Sequence, residues 1–167
     1  MSIIGLSGPV AVRAEMEAIG MPGEQPPQWP LENWIELACL PSTAYWARKH
    51  TADLLTRWGL RACTDVAELL VSELVTNGLK ASVDLDQPAR SSALPCIRLR
   101  LQSDRQRLVV AVWDSNPEAP VMKDAGPDDE SGRGLFLVGC LAKQWSYYFP
   151  PGGGKVVWCE LPVEGGG

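Results

Sequence analysis

The chain has 167 residues, 46% apolar and 21% charged, with a formal net charge of -5. That length supports one domain with a sizeable core, and the balance is that of an ordinary globular protein. No run of Lys and Arg builds a basic stripe, so nucleic acid is not an expected partner; no segment approaches the ~20 apolar residues of a membrane span. The first twenty residues lack a basic region ahead of their apolar stretch and a cleavage site, so no signal peptide is expected. Cys39, Cys63, Cys96, Cys140 and Cys159 are odd in number, scattered, and form no C-x-x-C pair. Neither a zinc site nor a disulfide framework is indicated, and a cytoplasmic location is expected. His50 is the one histidine, which leaves little room for His-based metal or triad chemistry.

In chain order, residues 1–32 end in "MPGEQPPQWP" and are expected to form a mobile arm, because clustered prolines resist regular structure. "NWIELACL" reads as a short edge strand. "PSTAYWARKHTADLLTRWGL" reads as a helix capped by Ser42 or Thr43, buried along Ala44, Ala47, Leu54, Leu55 and Trp58, and ended by Gly59. "TDVAELLVSELVTNGLKAS" is a second helix, capped by Thr64 or Asp65. After a polar, Pro-containing loop, "CIRLRL" alternates as a half-buried strand, and the apolar "RLVVAVWD" reads as a central strand. Residues 115–131 look like a long loop, "GRGLFLVGCLAK" a helix, "QWSYYF" a strand, "PPGGG" a turn and "KVVWCEL" the last strand. The domain is expected over 33–162, with 163–167 a frayed tail. This order predicts an α+β fold, a two-layer sandwich with helices on one face of a mostly antiparallel sheet.

Three stretches carry polar groups where apolar ones dominate. In the second helix, Val66, Leu69, Leu70 and Asn77 fall within roughly 60° of Glu73 at ~100° per residue. Glu73 and Asn77 are then either edge-of-stripe surface residues or a carboxylate and an amide set on a dry face. Asp114 ends the central strand, as a turn-starter or as a carboxylate fixed at a pocket rim. Gly132 and Gly134 bracket Arg133 before a helix, as a hinge or as backbone that approaches a phosphate closely.

Taken together and in this order, these stretches resemble the GHKL superfamily of ATP-binding domains, whose members include gyrase and the histidine kinases. More narrowly, the chain resembles the anti-sigma factor serine/threonine kinases. "ELVTN" matches the N box, "VWDSNPEAP" stands at the first glycine box, "GRGLFLV" matches the second, and "PGGGKVVWCEL" matches the closing strand. The likeness covers about residues 35–161. It implies a Bergerat-type ATP-binding fold. It also implies ATP and Mg²⁺ as cofactors, a sigma factor and an antagonist protein as partners, and a possible homodimer. By position, Glu73 is implied as general base and Asn77 as the Mg²⁺ ligand. Asp114 is implied as the acceptor for the adenine amine. Gly132, Arg133, Gly134 and Leu135 are implied as the phosphate wrap, with the preceding loop as the ATP lid.

The sequence departs from that pattern in several places. Asn116 stands where the first glycine box prefers glycine, and Val156 stands where the closing strand usually has a Thr near the adenine. Gly78 interrupts the helix, either loosening its last turn or making room for a ligand or loop. The lid carries Asp124, Asp128, Asp129 and Glu130. These departures favour an alternative, a non-catalytic nucleotide-gated protein-binding module. Trp58, Trp113, Trp145 and Trp158 are expected in the core, while Trp29 and Trp34 either dock a partner or fold back over the helices, the second being favoured. Cys140 and Cys159 are expected to be buried, inert thiols.

Overall fold

The computed structural model describes residues 29–83, 94–120 and 133–164. The elements run β1 (Leu31–Ala38), α1 (Thr43–Trp58), a 3-10 turn (Arg61–Cys63), α2 (Thr64–Val83), β2 (Cys96–Ser103), β3 (Arg107–Asp114), α3 (Arg133–Leu141), β4 (Gln144–Tyr148) and β5 (Lys155–Pro162). The strands form one sheet in the order β1-β2-β3-β5-β4, every neighbouring pair antiparallel. This is the α+β sandwich that the sequence order implies. Most of the arm, residues 1–28, and the acidic stretch around Asp124 lie outside the described residues.

Period-2 alternation builds the core. Ile97, Leu99 and Leu101 of β2, Leu108, Val110 and Val112 of β3, and Val157, Cys159 and Leu161 of β5 share one sheet face. Against them pack Ala47, Leu54 and Leu55 of α1, Ala67, Leu70, Val71, Leu74 and Val75 of α2, and Leu135 and Val138 of α3. Each fully buried Leu or Val contributes roughly 1.5–3 kcal/mol, so the helix layer is fixed firmly on this face.

The helix ends differ in part from expectation. Gly59 ends α1 in the left-handed conformation at φ 74°, donating its N–H to the last-turn carbonyls of Leu55 and Thr56. At the other end Ser42 makes no capping bond. Thr43 instead ties β1 to α1, its hydroxyl accepting from the Leu40 N–H and donating to the Ala38 carbonyl. Ala44 and Trp58 are half-buried rather than core. Helix α2 runs straight on from the 3-10 turn, and the Thr64 hydroxyl is buried without a hydrogen-bond partner, so it does not cap. Gly78 lets α2 approach the sheet closely. A Cβ there would stand 3.2 Å from Val112 Cγ1 and 3.5 Å from Ile97 Cγ2. Its helix cost of about 0.8–1.0 kcal/mol relative to Ala is offset by the closer approach of α2 to β2 and β3.

The sheet is covered on its other face too. Val109, Ala111, Val156 and Trp158 form a second cluster with Trp29, Trp113 and Tyr148 packed against it. Strand β2, expected to be half-solvated, also buries the outward Arg100 and Gln102. Trp29 does fold back, but onto this outer face and not over the helices, and the Arg107 guanidinium lies 4.9 Å from its ring centre. Trp34 stays exposed on the edge strand. Cys159 is buried, its thiol pushed up to about 12 by burial, whereas Cys140 is exposed, contrary to expectation.

Candidate functional site

The inward alternation of β3, Leu108–Val110–Val112, carries on to Asp114, so its carboxylate faces the helix layer at 2% exposure. The β5 residue in register with it is Lys155. Its ammonium donates to Asp114 Oδ1 at 2.9 Å and to the Asn116 carbonyl at 3.3 Å, and both side chains of the pair are buried. The Asn116 N–H donates to the same Oδ1 at 2.9 Å. Oδ2 has no hydrogen-bond partner among the described residues. Burial pushes the Asp114 carboxyl above its ordinary range; the bond and charge of Lys155 and the Asn116 N–H oppose that rise.

Asn116 also braces this end of the site. Its amide donates to the Ala81 carbonyl at the end of α2 at 3.1 Å, and its Oδ1 accepts from the Glu118 N–H. The residue that departs from the glycine box is therefore buried and ties the loop after β3 to α2. The turn before β5 closes from the opposite side. A Cβ on Gly154, whose φ is 74°, would meet the Asp114 carbonyl oxygen at 2.2 Å, so only glycine fits there.

The second end of the site lies on α2. Glu73 and Asn77 are half-buried, and Val66 and Leu69 on the same arc are exposed. The arc is thus the edge of the buried stripe rather than its centre. The polar pair is covered by the start of α3. A Cβ on Gly134 would stand 2.6 Å from Glu73 Oε2 and 3.3 Å from Asn77 Oδ1, so the backbone of α3 lies directly on both groups. Among the described residues neither Glu73 nor Asn77 makes a hydrogen bond or ion pair.

The structure thus brings Glu73, Asn77 and Gly134 together at one end and places Asp114 at the other, directly against Gly78 of α2. Gly132 lies outside the described residues. Arg133 begins α3. The Leu135 side chain is in the core, so only its backbone N–H could serve a ligand. Val156 points to the outer face, away from Asp114, so the missing Thr hydroxyl has no bearing on this pocket. Lys155 is the functional position that sequence reasoning missed. The signal was present, since Lys155, Val157, Cys159 and Leu161 share one phase of the last strand.

The donor set fits the expected ligands. A buried carboxylate with one oxygen free suits an amine on a base, and a glycine start of a helix over an amide and a carboxylate suits phosphates. Among the described residues no group of three or more His, Cys, Asp or Glu could cage a metal. A divalent ion here would be shared among the Asn77 amide oxygen, phosphate oxygens and water, a set that suits Mg²⁺. Among the described residues no helix is long and apolar enough to cross a membrane.

Sheet, helix layer and the two groups of polar residues beside α2 are those of an ATP-binding domain of the GHKL class. The chain belongs to the histidine kinase-like ATPase domain family, whose model matches residues 38–160. No curated protein matches it.

Proposed function

We propose that this protein is a Mg²⁺- and ATP-dependent serine/threonine kinase of the anti-sigma factor type. It phosphorylates an antagonist protein and sequesters a sigma factor in the cytoplasm. The observation that carries the reading is the Glu73–Asn77 pair, two polar side chains with no protein partner among the described residues, set under the glycine start of α3. A carboxylate with no partner among the described residues, set beside the amide that would hold the metal, is placed to serve as a general base. ATP, when bound, supplies the γ-phosphoryl group and leaves as ADP. Glu73 orients the substrate hydroxyl and accepts its proton as the oxygen–phosphorus bond forms. Asn77 holds the metal, Asp114 Oδ2 accepts from the adenine amine, and the backbone from Gly132 to Leu135 surrounds the phosphates. Positioning and electrostatics of this kind are most of what phosphoryl transfer requires.

The close seating of Gly134 on Glu73 supports a second reading, in which nucleotide only gates protein binding and no transfer follows. Two measurements separate them. Mg-ATP should raise the melting temperature by mass action, and no shift at millimolar ligand sinks both readings. Radiolabel transfer to antagonist proteins that physically bind the chain should then be seen; its absence with every such partner leaves the gating module.

A further inference from the structure

We propose that Lys155 is a positioning residue for base recognition: its ammonium holds Asp114 in the anionic, hydrogen-bond-accepting form and leaves Oδ2 to accept from the amine of a purine. The inference rests on the nucleotide-binding reading above and deepens it, by assigning the origin of base selectivity to a residue that need not touch the base.

Asp114 is 2% exposed, and a carboxylate removed from water to that degree neutralises unless a cation or donors hold it ionised. A neutral carboxyl carries a proton and donates, so it would suit a 6-oxo purine better than a 6-amino purine. Protonation therefore sets base preference, and the surroundings set protonation. Three elements face the carboxylate. From α2 come Gly78 and, through Asn116, the Ala81 carbonyl, neither of them charged. From the segment after β1 comes the Cys39 thiol, whose own ionisation burial disfavours. From β5 comes Lys155, in hydrogen-bond contact at 2.9 Å.

The geometry is divided accordingly. Lys155 and the Asn116 N–H both bind Oδ1, and none of the described residues binds Oδ2. The ammonium is itself fixed by the Asn116 carbonyl, so it cannot follow a ligand outward without breaking that bond. Gly154, which tolerates no side chain, seats the start of β5 against Asp114 and so sets the distance between the two charges.

The test measures equilibrium affinity of the full chain for ATP and inosine triphosphate, which has a 6-oxo group in place of the amine, from mildly acidic to mildly alkaline pH. The native protein should prefer ATP. In Lys155→Met, ATP affinity should fall by about tenfold per pH unit below the Asp114 pKa, with the fall setting in at higher pH than in the native protein. The ATP preference should shrink on the acid side and return on the alkaline side. Lys155→Arg, which keeps the cation, should restore the native profile. Lys155→Gln, which keeps a donor but no charge, replaces the methionine variant if that one fails to fold, with the same expected profile. Unchanged selectivity and pH profile in the neutral variants overturn the inference, as does an equal loss of both nucleotides at every pH, which marks a purely structural role. A native protein that binds neither nucleotide overturns the nucleotide reading itself, a different and earlier failure.

Discussion

The two ends of the pocket are built on opposite principles. At Asp114 the polar groups are linked in a network: Lys155 and the Asn116 N–H both donate to Oδ1, Lys155 also donates to the Asn116 carbonyl, and the Asn116 amide donates to the Ala81 carbonyl. At Glu73 and Asn77 the side chains are half-exposed and make no hydrogen bond or ion pair among the described residues, with the backbone of α3 laid over them. The first end is preorganised and tolerates little change. The second end depends on groups that no folded-state contact requires. Substitutions at the first should cost stability or selectivity, and those at the second should cost activity with the fold intact.

The sharpest test of that contrast is Glu73→Ala. Phosphoryl transfer to a bound antagonist should fall by about 10²–10⁴-fold, the usual worth of a general base, with Mg-ATP binding and melting temperature nearly unchanged. Asn77→Ala should lose both transfer and Mg²⁺-dependent binding, read by calorimetry with and without the metal. Next comes Gly154→Ala. It forces a non-glycine residue to φ 74° and drives a Cβ into the Asp114 carbonyl. Denaturant unfolding should show a loss of about 3 kcal/mol or more. A small loss there would show that the base end is looser than its bond network indicates.

A smaller effect is expected at the base itself. Asp114→Ala should erase most of the ATP preference over GTP, on the order of tenfold or more for a lost amine contact. Lys155 should then be left as a buried unpaired cation, so some stability is lost as well. The smallest effect should come from Gly78→Ala. The gain in helix propensity, about 0.8–1.0 kcal/mol, is set against a 3.2 Å contact with Val112, and the net change in unfolding free energy should stay within roughly 1 kcal/mol. A large loss would mean that α2 cannot move from the sheet at all.

The fold was legible in the sequence because its signals are periodic. Alternation in β2, the unbroken apolar run of β3 and the buried stripes of α1 and α2 each identify an element. The order of elements follows. The N-box pair and Asp114 were legible as motifs, and the structure places each on the element expected of it. What was not legible depends on tertiary contact. Val156 and Lys155 are adjacent; the phase shared with Val157, Cys159 and Leu161 puts Lys155 on the inner face, but only the register Asp114↔Lys155 shows that it meets the Asp114 carboxylate. Asn116 reads as a lost glycine until its amide is seen to reach Ala81 across 35 positions of chain. Val66 and Leu69 share the arc of Glu73 yet stay exposed, and apolar character alone left open whether that arc was the edge of the stripe or a dry face. The apolar run of β3 signals cover on both faces, but it does not say that Trp29 and Tyr148 supply part of the outer cover, since that depends on how distant segments meet.

That second cluster bears on how the domain opens. Strands β3 and β5 have neighbours on both edges and side chains packed on both faces, while β1 and β4 each have one free edge. Amide protons in the middle of β3 and β5 should exchange with solvent only when the whole domain unfolds, and those of the outer strands through smaller local openings. Asp114 and Lys155 stand at the ends of the two slow strands. The outer strands should therefore be able to open locally while the Asp114–Lys155 ion pair between the two central strands stays closed.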